Sequence, residues 1–346
     1  MIIEAIIVIA TAAVVAKFMP SLILLSRFSY PNAKFSAIPT TFLNEKEIAR
    51  LLEAKTLDDL KNNVVSRDFI LDGGSVTEIQ KSIDASLIKI IQMAKNDSPK
   101  QVRNFYDAYL QKMDGEAIKK AIRDIIEEKE MGEYVVFSEV AKKLMEEIRN
   151  VERGELFEIM KRYGYEIEEN MSIEAIEREI EKKLLQNLLD AKLPKSCRKV
   201  RDKFVKTLID VINIKTILRG KYYGLKNIED SILSGGWEIS EWQINELLKI
   251  DSIPEIISML EGTSYMPFLR QAITDFEKEG VVALEKALDK YMIKAVADIA
   301  NENPLGIGPG IRFIVEKEYE ARNLKAIAKA VAEEMPSEAW KVVVVA

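Results

Sequence analysis

Sliding the sequence over itself brings three copies of one pattern into register, and this internal triplication limits the chain more than any other feature. Leu248, Glu255, Ile256 and Tyr265 match Ile148, Glu155, Leu156 and Tyr165 at a constant offset of 100. They match Leu52, Asp59, Leu60 and Phe69 at an offset of 196, and Ile48, Leu144 and Ile244 keep the same offsets. A second module follows in each copy: Ile79, Ile83, Asp84 and Leu87 recur as Ile176, Ile180, Glu181 and Leu184, and again as Leu284, Leu288, Asp289 and Met292. Each copy then has a proline, at Pro99, Pro194 and Pro304. The third module is Asp114, Ile118, Lys119 and Arg123, repeated as Asp210, Ile214, Lys215 and Arg219, then as Glu320, Leu324, Lys325 and Lys329.

The spacing predicts helices. Apolar positions four apart in the second module share one helix face, with the acid beside the stripe. The prolines fit breaks before a new helix, because proline is tolerated in a first turn and not in an interior. Ser252 with Glu255 has capping-box spacing, and Thr56 with Asp59 is a weaker version. Valine-rich stretches are few, and only Val342 to Val345 reads as a candidate strand, with a frayed end as the other reading. An all-α fold is therefore expected. The period exceeds the roughly 20–50 residues of helical solenoid repeats, so each copy is expected to be a small lobe with its own core. The expected division is a hydrophobic segment at 1–29 and lobes at 30–131, 132–234 and 235–346. Three similar lobes predict a ring or funnel of approximate threefold symmetry.

Composition narrows the chemistry. The chain has no histidine, which removes the commonest general base and metal ligand. Its one cysteine, Cys197, excludes an internal disulfide and a multi-cysteine zinc site, and reads as structural. The net charge is -6, with 56 acidic and 50 basic residues, and no basic run offers a face to nucleic acid. Charged residues reach 31% and aromatics 8%, a balance that favours surface-charged helices. No cofactor, metal or small-molecule substrate is expected.

The acids and bases of the third module are the candidate functional residues: Asp114, Arg123, Asp210, Lys215, Arg219, Glu320, Lys325 and Lys329. A carboxylate near a lysine can do proton chemistry. The preferred reading is structural, since Lys215 and Arg219 lie one helical turn apart and Asp210 is taken to open its helix, where its charge suits the dipole. Contact with a partner comes second. Gly306, Gly308 and Gly310, interleaved with Pro304 and Pro309, read as a turn or hinge, because a phosphate cradle would need a preceding strand and a Lys-Ser or Lys-Thr. The run Glu177 to Lys183 reads as a solvated helix face.

These residues also resemble a known family. The run from Asp210 through Asn213, Ile214, Lys215 and Arg219 to Lys221 looks like the recurring signature of the C subunit of archaeal A-type ATP synthases, whose family includes the d subunit of the vacuolar ATPase. Glu318 to Lys325 resembles that family's C-terminal element, and Tyr30-Pro31-Asn32-Ala33-Lys34 its opening motif. Two departures stand out: Lys34-Phe35-Ser36 replaces part of a basic stretch, and Glu116-Ala117 stands where the second copy has Ile212-Asn213. The resemblance implies a non-catalytic, funnel-shaped component on the cytoplasmic face of the membrane, joining central-stalk subunits to the proteolipid ring of a rotary ATPase. The competing expectation is a helical scaffold or adaptor peripheral to membranes and outside any motor.

The N-terminus adds a further expectation. Ala5 to Ala16 carries no charge, but twelve helical residues reach only about 18 Å against a hydrocarbon core of roughly 30 Å. Extension to Leu25 gives about 31 Å and takes in Lys17 and Pro20. Residues 2–25 are expected to anchor the chain, with Arg27 and Lys34 holding the body on the cytoplasmic side.

Overall fold

The computed structural model describes the backbone of residues 2–346; the side chains of residues 1–14, 16–18, 20 and 21 lie outside the description. Every regular element among the described residues is helical, as the apolar spacing requires. A long helix, α1 (Ile2–Ala37), leads into two short ones, α2 (Glu45–Leu52) and α3 (Leu57–Asn63), and then α4 (Val76–Asp97). Next come α5 (Arg103–Met113), α6 (Gly115–Ile126), the short α7 (Glu139–Ile148) and α8 (Arg153–Arg162), and the longer α9 (Ile173–Asp190). The third passage starts with α10 (Lys195–Tyr223), runs through four short helices, α11 (Glu241–Lys249), α12 (Ile253–Met259), α13 (Met266–Gln271) and α14 (Ile273–Glu279), and reaches α15 (Val281–Glu302). The last elements are α16 (Gly308–Ala332) and α17 (Pro336–Val342).

Local chemistry sets these limits. Ser75 and Glu78 form a full capping box at the start of α4, and Ser240 and Gln243 another at α11. Thr56 caps α3 through the Asp59 amide, as the sequence spacing predicts. Ser252 does not cap α12: its ψ is 116°, whereas Thr56, Ser75 and Ser240 lie at 162°, 158° and 159°. Such caps each contribute about 1 kcal/mol. Pro194 stands at the N-cap of α10, and Gly224 ends that helix with a left-handed φ of 63°.

The segment Val342 to Val345 is neither strand nor frayed. Val343 and Val344 are buried, and the Val344 amide donates to Asn323 Oδ1 at 2.8 Å. Asn323 Nδ2 in turn donates to the carbonyls of Val344 and Phe42 at 2.7 and 2.8 Å. One buried amide replaces the ladder that a strand would need.

Helix α16 packs against α4 and α15, and α15 packs against α10. The buried apolar residues fall into two separate clusters. The smaller runs from Ala117 to Leu184 and covers α6, α7, α8 and most of α9. The larger joins residues 28–110 to residues 185–344, so the three copies do not each enclose a core of their own, contrary to what their spacing leads one to expect.

Helix α1 runs past residue 30, so the hydrophobic segment and the Tyr30 motif share one helix. Its described part seats Phe28 and Phe35 in the core, with Phe35 stacked on Phe313 at 4.9 Å. Val15, Met19, Leu22 and Ile23 stay about half exposed. Most side chains of the expected anchor at 2–25 lie outside the described residues. Among the described residues no helix is long and apolar enough to cross a membrane.

Candidate functional site

The acid of each third module is buried, and each does the same thing. Asp114 accepts the amides of Phe137 and Ser138 and the Ser138 hydroxyl, the last at 2.5 Å. Asp210 accepts the amides of Trp237 and Glu238 at 2.9 and 2.7 Å, and the Tyr265 hydroxyl at 2.7 Å. Glu320 accepts the amide of Phe42 at 2.9 Å. In every case an amide donor lies just before the first short helix of a copy, and for Asp114 and Asp210 that copy is the next one along the chain. The third acid reaches back to the first copy.

Charge-assisted bonds of this kind are about twice as strong as neutral ones, but they need the acid ionised in a buried place. Burial pushes Asp114 up to about 6 against the pull of its donors. Burial likewise raises Asp210 and Glu320. Lys317, itself buried, offsets part of this at Glu320, with Nζ 2.7 Å from Oε2. The backbone approaches Asp210 so closely that a Cβ on Gly236 would lie 1.8 Å from Oδ1, so the Gly235-Gly236 turn needs glycine there.

The lysine one turn on also repeats its contact. Lys119 pairs with Glu181 at 3.2 Å, Lys215 with Asp289 at 2.6 Å and Lys325 with Asp84 at 2.6 Å. The three acids are those of the second module, so both repeated charges of the sequence meet in one repeated bridge between long helices. Burial alone would raise Asp289, but Lys215 and Arg322 outweigh it and hold the carboxyl below its ordinary value. The fourth position follows the sequence as well. Arg123 pairs with Glu177 and Arg219 with Glu285, where the first copy supplies Gln80. Lys329 therefore lacks that partner and lies on the surface, 3.9 Å from Glu333.

Three sequence expectations need correction. Asp210 lies in the middle of α10, as Glu320 does in α16, and not at the helix start, so it does not cap a dipole. Glu177 and Glu181 face α6 as ion-pair partners, so the run from Glu177 to Lys183 is only partly solvated. Gly308 and Gly310 belong to the first turn of α16, where a Cβ on Gly310 would lie 2.2 Å from the Tyr106 hydroxyl. Close packing, not a loop, requires them. Gly306 does lie in the turn, and Asn32 of the Tyr30 motif ties it down, donating to the carbonyls of Pro304 and Gly306 at 2.9 and 3.1 Å.

Sequence reasoning missed the inner face of these helices. A cavity of about 750 Å³ is lined by Lys112 and Gly115 from the first copy, Ile212 and Arg219 from the second, and Glu318 and Arg322 from the third. Lys112 donates to Glu318 at 3.0 Å, Tyr109 also donates to Glu318, and Arg322 bridges to Asp289 at 3.2 Å. Lys112, Leu208 and Glu318 keep the third-module offsets, so the signal was present as register without similarity of type. Among the described residues no acid or cysteine group is arranged to hold a metal ion. The repeated acids are taken up by amides and the second-module acids by cations, an arrangement suited to holding segments together.

Comparison with known proteins finds curated relatives over more than nine-tenths of the chain. Curated relatives named as the C subunit of A-type ATP synthase include that of Methanothermobacter thermautotrophicus, 28% identical over 347 residues, covering 95% of this chain and 88% of the relative. The Thermococcus kodakarensis protein is 28% identical over 334 residues, covering 91% and 89%. That of Methanocaldococcus jannaschii is 27% identical over 349 residues, covering 91% and 85%. The family model described as ATP synthase (C/AC39) subunit matches residues 31–341, which contain all three copies of the acid and lysine contacts, and the chain belongs to that family.

Proposed function

We propose that this chain is a non-catalytic part of a rotary ATP synthase and that it couples the central stalk to the membrane proteolipid ring. The observation that carries the reading is the repeated bridge. Three copies of one acid and one lysine lock long helices around a single charged cavity, and that design resists twisting. On this reading residues 30–131, 132–234 and 235–346 are the repeat units of a funnel with approximate threefold symmetry. The packing ties each unit to the next, which suits a part that carries torque. Asp114, Arg123, Asp210, Lys215, Arg219, Glu320 and Lys325 brace the units, and Lys329 is left for a partner. The body sits on the cytoplasmic face of the cell membrane, anchored by residues 2–25.

Affinity isolation of the full chain from its own membranes under mild detergent tests the proposal. Recovery of ATPase catalytic subunits together with a proteolipid ring is expected. Recovery of unrelated proteins in place of both would return the chain to the scaffold reading, and ATP turnover by the isolated chain would overturn the non-catalytic one.

A further inference from the structure

The three copies are not equally rigid. Helices α10 and α16 run unbroken through Asp210 and Glu320, over 29 and 25 residues. At the matching place in the first copy the helix is interrupted: α5 stops at Met113, the Asp114 amide turns back to Gln111, and α6 restarts at Gly115. Glycine is a weak helix former and occupies the position held by Val211 and Ala321 in the other copies.

The break coincides with the division of the core. The smaller cluster begins at Ala117 and ends at Leu184, while Leu110 and Leu185 belong to the larger one. The chain enters and leaves the body from α6 to α9 at two places, the break at Asp114 and the last turn of α9, and α9 also packs against α10 and the turn at Ile228–Ser231. The two places lie side by side, because Asn187 donates to Gln111 at 3.0 Å. Two adjacent attachments define an axis, as in a hinge between packed bodies.

The segment that crosses from this body toward the rest lacks the buried asparagine of its counterparts and is held instead by Asp124, which accepts the Gly132 amide and the Tyr134 hydroxyl at 3.1 and 2.5 Å. In the other copies Asn213 grips Leu233 through two bonds and Asn323 grips Phe42 and Val344. The first copy has Ala117 at that position. Among the described residues, the side-chain bond joining residues 115–184 to α4 across the cavity mouth is Lys81 to Glu133, 3.0 Å long with Glu133 80% exposed. An ion pair so exposed contributes little and is screened by salt.

We propose that the helix break at Asp114 and Gly115 is a hinge about which residues 115–184 swing as one body, opening or closing the central cavity, with the Lys81–Glu133 pair as its latch. This goes beyond the coupling role and holds whether or not that role is correct. The test is the distance distribution between spin labels on cysteines introduced in the full-length chain; the native Cys197 is buried and stays unlabelled. Labels at Asp59 and Glu158 span the hinge, and labels at Asp59 and Asn245 span the continuous core. The first pair is expected to give a distribution at least twice as wide as the second. Lys81→Glu, which turns the latch repulsive, is expected to move the first distribution to longer distances and leave the second unchanged. Equal widths, or a first distribution indifferent to Lys81→Glu, would overturn the hinge. A thermal melt of each labelled chain identifies any that fails to fold, and Glu133→Lys then replaces Lys81→Glu in the same comparison.

Discussion

The Glu320 carboxylate accepts the Phe42 amide at 2.9 Å, a bond between residues 278 positions apart. It is the third instance of a contact whose other two instances link neighbouring copies, and it brings α16 onto the helices that open the first copy. Beside it the Ala346 amide donates to the Leu43 carbonyl at 3.1 Å, so the end of the chain closes on the same stretch.

Replacing Glu320 with Ala should therefore loosen two distant stretches together. The change orphans the Phe42 amide and leaves Lys317 paired only with Asp68 and the Pro39 carbonyl. Breaking a buried charged pair typically costs about 3–5 kcal/mol. Hydrogen exchange should accelerate in α2 and in α16 alike; acceleration in α16 alone would show that the bond is dispensable.

Leu324→Asp should be as damaging. Leu324 is fully buried at the apolar position shared with Ile118 and Ile214, which are also buried. An unpaired carboxylate there has no partner and opens the packing between α16 and its neighbours, at roughly 3 kcal/mol or more. An unchanged melting temperature would contradict this placement.

Asp114 makes stability depend on pH in a definite direction. Its folded pKa, about 6, lies above the unfolded value near 3.9, so the folded state holds the proton more tightly. Its contribution is complete below about pH 4 and is lost as pH rises through 6. The loss is about 3 kcal/mol at most, from roughly two pKa units. Asp114→Asn removes the titration, so the melting temperature of the variant relative to the native chain should rise between pH 4.5 and pH 7.5. A difference constant across that range would refute the assignment.

Two lysines one turn apart on α16 should behave differently. Lys325 reaches Asp84 across helices at 2.6 Å, whereas Lys329 lies on the surface 3.9 Å from Glu333. Lys325→Ala should lower stability by about 1 kcal/mol and Lys329→Ala by a few tenths at most. Urea unfolding of the two variants side by side decides between this order and its reverse.

The anchor proposal is testable by truncation. A chain that begins at Ser26 keeps Phe28 in the core and removes the hydrophobic stretch. The full-length chain should float with liposomes and the shortened one should stay in solution. Flotation of neither would show that residues 2–25 serve another purpose.

Much of this architecture was legible because repetition reveals it. The buried positions Phe69, Tyr165 and Tyr265, the prolines before α5, α10 and α16, and the charges of both modules stand in the sequence at constant spacing. What could not be read was which charge meets which. Lys325 and Asp84 are 241 positions apart, and nothing local distinguishes a lysine that crosses to another helix from one that faces water. The same limit misplaced Asp210: its role depends on the amides of Trp237 and Glu238, which reach it only after the chain has turned back. The break at Asp114 was hidden for a different reason. The degenerate positions Gly115 and Ala117 look like erosion of the repeat until the uninterrupted counterparts are seen beside them.

The packing of α4 on α16 also bears on how the chain is made. Residues 76–97 leave the ribosome roughly two hundred residues before residues 308–332, the helix that covers them. At typical synthesis rates that interval is about 10–40 s. Through it, the face of α4 that ends against α16 waits for its partner, although α1 and α5 also pack on α4, and this makes the nascent first copy a natural client for chaperones that shield exposed apolar helices.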